Sequence, residues 1–487
     1  MDTPISINAS IDDEEDIMPL LLDDSSAESG DSSISTISNN KDLGGILGEK
    51  TISQWASFIF IVNQIYGPGV LSISIGFQQS GWVLTMVSLT LFLIVSCLAS
   101  TLLCEAVSLI PGNRQFDKHI EYSGAVRYYF GKRYYFIFQI LNNLCLQAYN
   151  IASIVICAQS LDQFFIFIFG KTFALQMHPS FRFVECLDAD ELYSTGVVCI
   201  SLGYLIICAM SIPTSIMNLN DNVKIVQTIS FIFLFVLIGE FIVQYFMNGL
   251  VVDRVPAFGK SYYQLVSIFV FSWAFPMFIV SWCNEKTNEV SVNRAVWYSG
   301  LFSWFGYLVI GLLGAMAYQS LGSDNILNLM GQLSSPAVTR VASFLFSLGV
   351  IMPGIPICLI TTRYNLTHIC GKQASYFWGV IAPWLVAFVF CQKEVFADLL
   401  NWSSLILNSL VNFIIPFVLY LKATDPNQSP SNAYDPRQPS TVQPYPKRLE
   451  KHSRLLTWII LISVIVVSLI QIIYDIIETT QGKNPLN

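Results

Sequence analysis

Charge is what this sequence lacks most. Asp, Glu, Lys and Arg make up only 12% of its 487 residues, against 53% hydrophobic ones and a mean hydropathy of +0.56, whereas an average soluble domain carries roughly 25% charged residues. That deficit excludes an ordinary soluble chain. Histidine is scarce too, with four residues and none inside a long apolar run. The eleven cysteines form no CxxC pair and no Cys/His cluster at zinc-like spacing. There is no P-loop and no Gly-x-Ser-x-Gly elbow, so nothing points to an enzyme, an ATP-driven pump, a bound metal or cofactor, or a nucleic-acid partner. No basic start precedes a short apolar core, as a cleaved signal would require.

What is present is a series of apolar runs, each of about 20 residues and so able to cross a roughly 30 Å hydrocarbon core as a helix. About eleven recur after residue 50, near 53–75, 82–104, 134–160, 193–212, 225–247, 262–283, 295–319, 336–361, 374–392, 396–421 and 453–477. The third stays apolar to Phe169 and is compatible with one long tilted helix. The chain reads as an all-α integral membrane protein whose lipid surroundings are its first partner. Most cysteines fall within the runs as small apolar packing residues. Cys186 lies instead in a loop at about 170–192, and the later loop at 248–261 has no cysteine to pair with it.

The formal charge of −8 is unevenly placed. Residues 1–50 hold twelve Asp or Glu and two Lys, leaving about +2 for the rest. Residues 1–49 therefore read as a disordered acidic tail. Positive charge resists translocation, and with the N-terminus in the cytosol eighteen of the 25 Lys and Arg fall on the cytosolic side. The count thus predicts an internal N-terminus, a transporter core over 50–421, a Pro-rich cytosolic linker over 422–453, and an eleventh helix with a short extracytosolic tail over 454–487.

The first run carries Gly67-Pro68-Gly69 at its centre. Non-helical backbone is tolerated within a bilayer where it lines a cavity or is buried in protein, and Pro68 both lacks an N–H and obstructs the preceding turn. Kinking alone is one reading of such a motif, since Gly and Pro are frequent in membrane helices. A second break favours the other reading: Pro276 interrupts the sixth run beside Ser272 and Trp273. Breaks in the first and sixth helices are the pattern of two inverted repeats of five helices, whose half-helix ends offer positive dipoles to an anionic group and free carbonyls to a cation. The breaks are thus expected to form a binding site for a small polar solute at mid-membrane, with ends suited to the carboxylate and ammonium of a zwitterion.

"NQIYGPGVLSISIGFQQSGW" (63–82) resembles the first-helix signature of the amino acid/auxin permease family. In order, "EYSGAVRYYFGKRY" resembles that family's loop before the third helix, "FSWAFPMFIVSWCNEK" its sixth helix, "GLLGAMAYQSLG" its seventh and "IPICLITTRYNL" the end of its eighth. The resemblance covers about 50–477. It implies a five-plus-five inverted repeat with discontinuous helices one and six (a LeuT-like fold) plus one extra helix. It also implies that substrate is held by Tyr66, Gly67, Pro68, Gly69 and Val70 and by Phe271, Ser272, Trp273 and Ala274. Amides after the first break would take the carboxylate, carbonyls of both breaks the ammonium, and Tyr66 and Trp273 would select the side chain; core packing is the other reading of Trp273.

For coupling, Asn63 stands where sodium-coupled members of the family place a ligating Asn, but the matching stretch of the eighth helix, Val350 to Pro356, has no Ser or Thr. Ser343 and Ser347 keep sodium open. Glu240 is the favoured proton carrier, because a charge near the bilayer centre costs about 2.5 to 3.5 kcal/mol even on an insertion scale and is rarely incidental. A place near the outer end of the span, snorkelling to the interface, or bonding to a neighbouring helix are the alternatives for it. Asp162 is a weaker candidate, and Glu105 and Asp398 sit at helix ends. In the tail, Asp16 lies four residues before the Leu20-Leu21 pair, the spacing of signals read by sorting adaptors, which predicts an endolysosomal or vacuolar address with the plasma membrane as rival. The rival functions are an amino acid sensor signalling through its N-terminal tail and a sodium-coupled or uncoupled permease.

Overall fold

The computed structural model describes residues 49–480 apart from 195, 263, 320–325, 333–334, 393–400 and 426–439. Asp16, Leu20, Leu21 and Asp398 lie outside the described residues. Nine described helices are long and apolar enough to cross a bilayer: Trp82–Ser108, Lys132–Phe169, Leu219–Asn248, Leu265–Glu285, Val292–Ala317, Ala337–Thr367, Ile369–Cys391, Ser403–Ala423 and Glu450–Tyr474. Gln54–Ile65 and Pro68–Ser80, bent by 48° at the Gly-Pro-Gly, form a tenth, and the shorter apolar helix Leu202–Ile216 stands fourth in order. Ten of the described helices are thus able to cross; with Leu202–Ile216, whose 15 residues are short for a roughly 30 Å core, they are numbered first to eleventh span in chain order. They follow the apolar runs because a helix meets its own backbone hydrogen bonds inside hydrocarbon.

Burial ranks them. The apolar window of the sixth span is 94% buried, whereas that of the eleventh is 22% buried. The sixth is thus the axis of the bundle and the eleventh an outer addition, packing through Leu461 against Leu98 and Leu102 of the second span and Phe417 and Leu421 of the tenth. The third is a single helix of 38 residues, Lys132–Phe169.

The fourth span departs from the sequence reading. Hydropathy places its start near 193, but Val198–Ser201 is a strand, β3, and the helix begins at Leu202. Together with β1 (Thr172–His178) and β2 (Arg182–Cys186) it forms an antiparallel sheet of order β2-β1-β3. Cys186 pairs in register with Thr172 and is a buried free thiol. A short apolar run cannot tell strand from helix by hydropathy alone, and here Val198 and Ile200 favour the strand. Asp162, near the end of the third span, joins sheet to bundle: it accepts bonds from Thr172 Oγ1 (2.7 Å), Tyr193 Oη (2.5 Å) and Gly203 N (3.0 Å). Gly203 opens the fourth span, so this carboxylate also meets one of the amide groups left over at a helix start.

Glu105 is likewise no open interfacial acid. It is buried and accepts from Thr441 N (3.3 Å) and Val442 N (2.7 Å), where the linker returns across the end of the second span. Asn293 Nδ2 donates to Gln443 O at 3.0 Å, so the linker's second part is docked on the bundle.

Candidate functional site

The first helix ends at Tyr66, whose N–H still bonds Val62 O, and Gly67 continues with extended backbone before a tight turn over Pro68–Ser72. Pro68 opens the second half, where a missing N–H costs nothing. The glycines are required by proximity. A Cβ on Gly67 would lie 1.6 Å from Tyr149 Oη of the third span, and one on Gly69 would lie 2.8 Å from Ser272 Cα of the sixth. In the sixth span the helix stops at Ser272, unwinds over Trp273–Phe275 and resumes at Pro276. Gly69 and Ser272 therefore bring the two breaks into contact, and the nine residues Tyr66–Val70 and Phe271–Ala274 are all buried around that point.

The carbonyls freed by the breaks are taken by side chains from other spans. Tyr307 Oη of the seventh span donates to Ile65 O of the first and lies 3.2 Å from Ser272 O of the sixth. Tyr149 Oη donates to Gln64 O at 3.2 Å, and Ser96 Oγ of the second span donates to Trp273 O at 2.7 Å. On the amide side, Val70 N reaches Gly67 O at 3.3 Å and Met277 N donates to Asn412 Oδ1 of the tenth span at 2.9 Å. Ring packing closes the cluster: Tyr66 on Tyr307 (5.2 Å between centroids), Trp273 on Tyr307 (5.5 Å) and Tyr149 on Phe271 (5.5 Å). Among the described residues, Tyr66 Oη and Trp273 Nε1 are buried without hydrogen-bond partners. Unmet polar atoms on buried aromatic rings are costly, and both lie on the side chains that the resemblance assigns to substrate selection.

Sequence reasoning passed over Tyr149, Tyr307, Ser96 and Asn412. Each sits within an apolar run and carries no motif of its own; in the structure Gly306, beside Tyr307, makes room for Tyr66, since a Cβ there would lie 1.5 Å from Tyr66 Oη.

The coupling candidates lie apart from this cluster. Asn63 Nδ2 donates to Gln227 O (2.7 Å) and Gln227 Oε1 (3.0 Å), and Gln227 Nε2 donates to Pro353 O (2.9 Å), a chain of amides joining the first, fifth and eighth spans. Asn63 Oδ1 has no partner among the described residues. The Ser343 hydroxyl donates to Arg340 O, and that of Ser347 pairs with Ser160. Glu240 is half-buried on the fifth span and accepts a bond from Thr339 Oγ1 of the eighth at 3.1 Å.

Both ends of the broken helices are tied down. At one end Ile52 N donates to Glu285 O (3.1 Å) and Thr287 N to Ile52 O (3.0 Å), so the strand-like entry to the first span pairs with the exit of the sixth. Lys50 bonds Asp117 and Gln115 O there. Glu121, before the short helix Tyr122–Phe130, accepts from Ser281 Oγ (2.6 Å) and Asn284 Nδ2 (3.0 Å) of the sixth span. Glu285 accepts from Asn220 N (2.7 Å) and Tyr364 Oη (2.8 Å). Burial pushes the Glu121 carboxyl up to about 7, opposed by the bonds from Ser281 and Asn284 and reinforced by the nearby Glu285. At the other end Gly259 N donates to Ser80 O (2.9 Å) and Ser261 N to Gln79 O (3.1 Å), locking the exit of the first span to the approach of the sixth.

Comparison with known proteins bears on this arrangement. A manganese transporter variant of Eremococcus coleocola superposes with a TM-score of 0.53 at 16% identity, covering 88% of this chain and 95% of that one. A nucleobase-cation-symport-1 family transporter, in a closed conformation with bromovinylhydantoin bound, gives 0.53 at 14% identity over 76% and 78%. At such identities the likeness shows the fold alone, that of membrane transporters with broken helices. Two curated relatives, the transmembrane protein 104 homologs of Caenorhabditis briggsae and Caenorhabditis elegans, are each 32% identical over short stretches of 88 and 76 residues, 18% and 16% of this chain. Those matches span only 18% and 15% of the relatives' own length. The family model described as transmembrane amino acid transporter protein matches residues 50–441, from the entry of the first broken helix through the tenth span, and the chain belongs to that family.

Proposed function

We propose that this membrane transporter carries neutral amino acids by alternating access, coupled to protons, with substrate held between the two breaks. The observation that carries the reading is Tyr307, whose single hydroxyl spans the carbonyls of both breaks at Ile65 and Ser272. That is the place and hydrogen-bonding role of a substrate ammonium, and a half-helix N-terminus beyond Pro68 suits the carboxylate. The groups that touch the breaks, Tyr149, Ser96, Tyr307 and Asn412, are uncharged, which supports a neutral side chain. Glu240, and Glu121 facing Glu285, are the carboxylates that support protons over sodium as the coupled ion. The acidic signal Asp16, Leu20 and Leu21 favours an endolysosomal or vacuolar membrane reached through sorting adaptors, with the N-terminus cytosolic.

The test is uptake of a labelled amino acid mixture into proteoliposomes of purified protein, under an imposed pH gradient and then a sodium gradient. Uphill uptake with the pH gradient alone, lost in Gly67→Leu, is expected. Accumulation only under sodium overturns the proton assignment and directs attention to Asn63. A second reading, an amino acid sensor, is favoured by one contact: Ile52, three residues beyond the N-terminal tail, is bonded to Glu285 at the end of the sixth span. Saturable binding without uptake, with signalling lost on deletion of residues 1–49, would establish it.

A further inference from the structure

A cavity of about 30 Å³ lies away from the breaks, between the last turns of the third span, the short helix Ile326–Gly331 and the first turns of the eighth span. Its polar lining is Arg340, Gln163, Ser160 and Ser343, and among the described residues that line it none is acidic. Arg340 Nε is buried and meets no hydrogen-bond acceptor among the described residues. The guanidinium lies 4.2 Å from the centroid of Phe167, and Phe164 and Phe344 stack at 3.8 Å to form an apolar wall. Glu240 is bonded to the adjacent Thr339 but does not line the space.

Arg340 as a whole is half-buried, but its Nε–H is shut off from water beside Phe167 and unmet, which is unfavourable unless an acceptor completes it. The aromatic wall lowers the local dielectric and so strengthens attraction to an anion, and the cavity has room for roughly one or two water-sized particles. We propose that this cavity binds a small monovalent anion, with Arg340 supplying the charge and the Gln163 amide and Ser160 hydroxyl further donors. Bound there, the anion bridges the helix Ile326–Gly331 to the third and eighth spans. That helix covers the end of the seventh span and the second half of the first, since a Cβ on Gly314 would meet Ile326 at 2.6 Å and Ser74 Oγ at 2.8 Å. Occupancy therefore holds a cover over one end of the broken first helix. A free halide and the carboxylate of an amino acid offer the same chemistry, and the cavity's size favours the halide.

Thermal unfolding of the full-length purified protein tests the site without relying on transport. Chloride is titrated into gluconate buffer at constant ionic strength, and alanine is titrated separately into chloride-free buffer. A saturable rise in Tm with chloride, with half-saturation weakened roughly tenfold or more in Arg340→Gln, is the expected result. An Arg340-dependent rise with alanine alone supports the site and assigns it to the carboxylate. Should Arg340→Gln not fold, Gln163→Leu keeps the charge, removes a donor and is expected to weaken the same titration several-fold. No saturable rise with either anion, or equal rises in wild type and variants, overturns the proposal.

Discussion

At the scale of single residues, the site depends on which atoms occupy the gaps left by helix breaks. Gly67 is fixed by Tyr149, so Gly67→Ala drives a methyl group into the Tyr149 ring. The expected cost is about 1 to 3 kcal/mol, read as a lowered Tm, and much of it should return when Tyr149→Ala is added, because contacting residues are energetically coupled. Additive losses in that double variant would refute the contact. Tyr307→Phe removes one hydroxyl and leaves the carbonyls of Ile65 and Ser272 without it. A destabilisation of roughly 1 to 3 kcal/mol follows from unmet buried acceptors, and an unchanged unfolding curve would exclude this role. The sequence marked Gly67, Pro68 and Gly69 because a helix cannot absorb them without consequence. It did not mark Tyr149 or Tyr307, since a tyrosine in an apolar run carries no local signature, and its partners lie on other spans, 85 residues away for Tyr149 and 35 and 242 for Tyr307.

At the scale of elements, the exit of the sixth span is held by carboxylates that the sequence left unremarked. Glu121 is bonded to Ser281 and Asn284 and faces Glu285 at the end of the same span, with Tyr364 and Asn220 bonded to Glu285 from the eighth and fifth. Lys50 and Asp117 pair on the neighbouring entry to the first span. In the folded chain Glu121 loses its proton near 7, and when exposed near 4.5, so between these values the folded state holds the extra proton. Stability from this group is therefore greatest at the acid end, falls as pH rises from 4.5 to about 7 and is level above that. Wild-type Tm should decline over this window and Glu121→Gln should flatten the decline; parallel profiles would show that another group is responsible. A contrast is Asp162, which reads from sequence as a proton candidate but serves in the structure as the pin between sheet and fourth span.

For the molecule as a whole, the broken helices are clasped at both ends, by Ile52 with Glu285 and Thr287 on one face and by Ser80 with Gly259 on the other. Transport by alternating access requires one clasp to release while the other holds. Ile52→Pro deletes the N–H that bonds Glu285 O. It is expected to expose the buried Cys283 to an impermeant maleimide added from that face, in a protein retaining no other cysteine; unchanged labelling would mean that the clasp does not seal the path.

Sequence alone determined the order of the apolar helices, because hydrocarbon admits few backbones and long apolar runs record that constraint one segment at a time, although the fourth is shorter than the run that announces it. It pointed to where two of them break, at Pro68 between two glycines and at Pro276, although a proline alone is no sufficient signal, since Pro213 sits inside a continuous helix. Only the tertiary structure decided what meets those breaks, which acids are pinned within hydrogen-bond networks, and that residues 198–201 pair as a strand. Those outcomes depend on groups brought together from distant parts of the chain, and a side chain's neighbours across a bundle are not encoded by its neighbours along it.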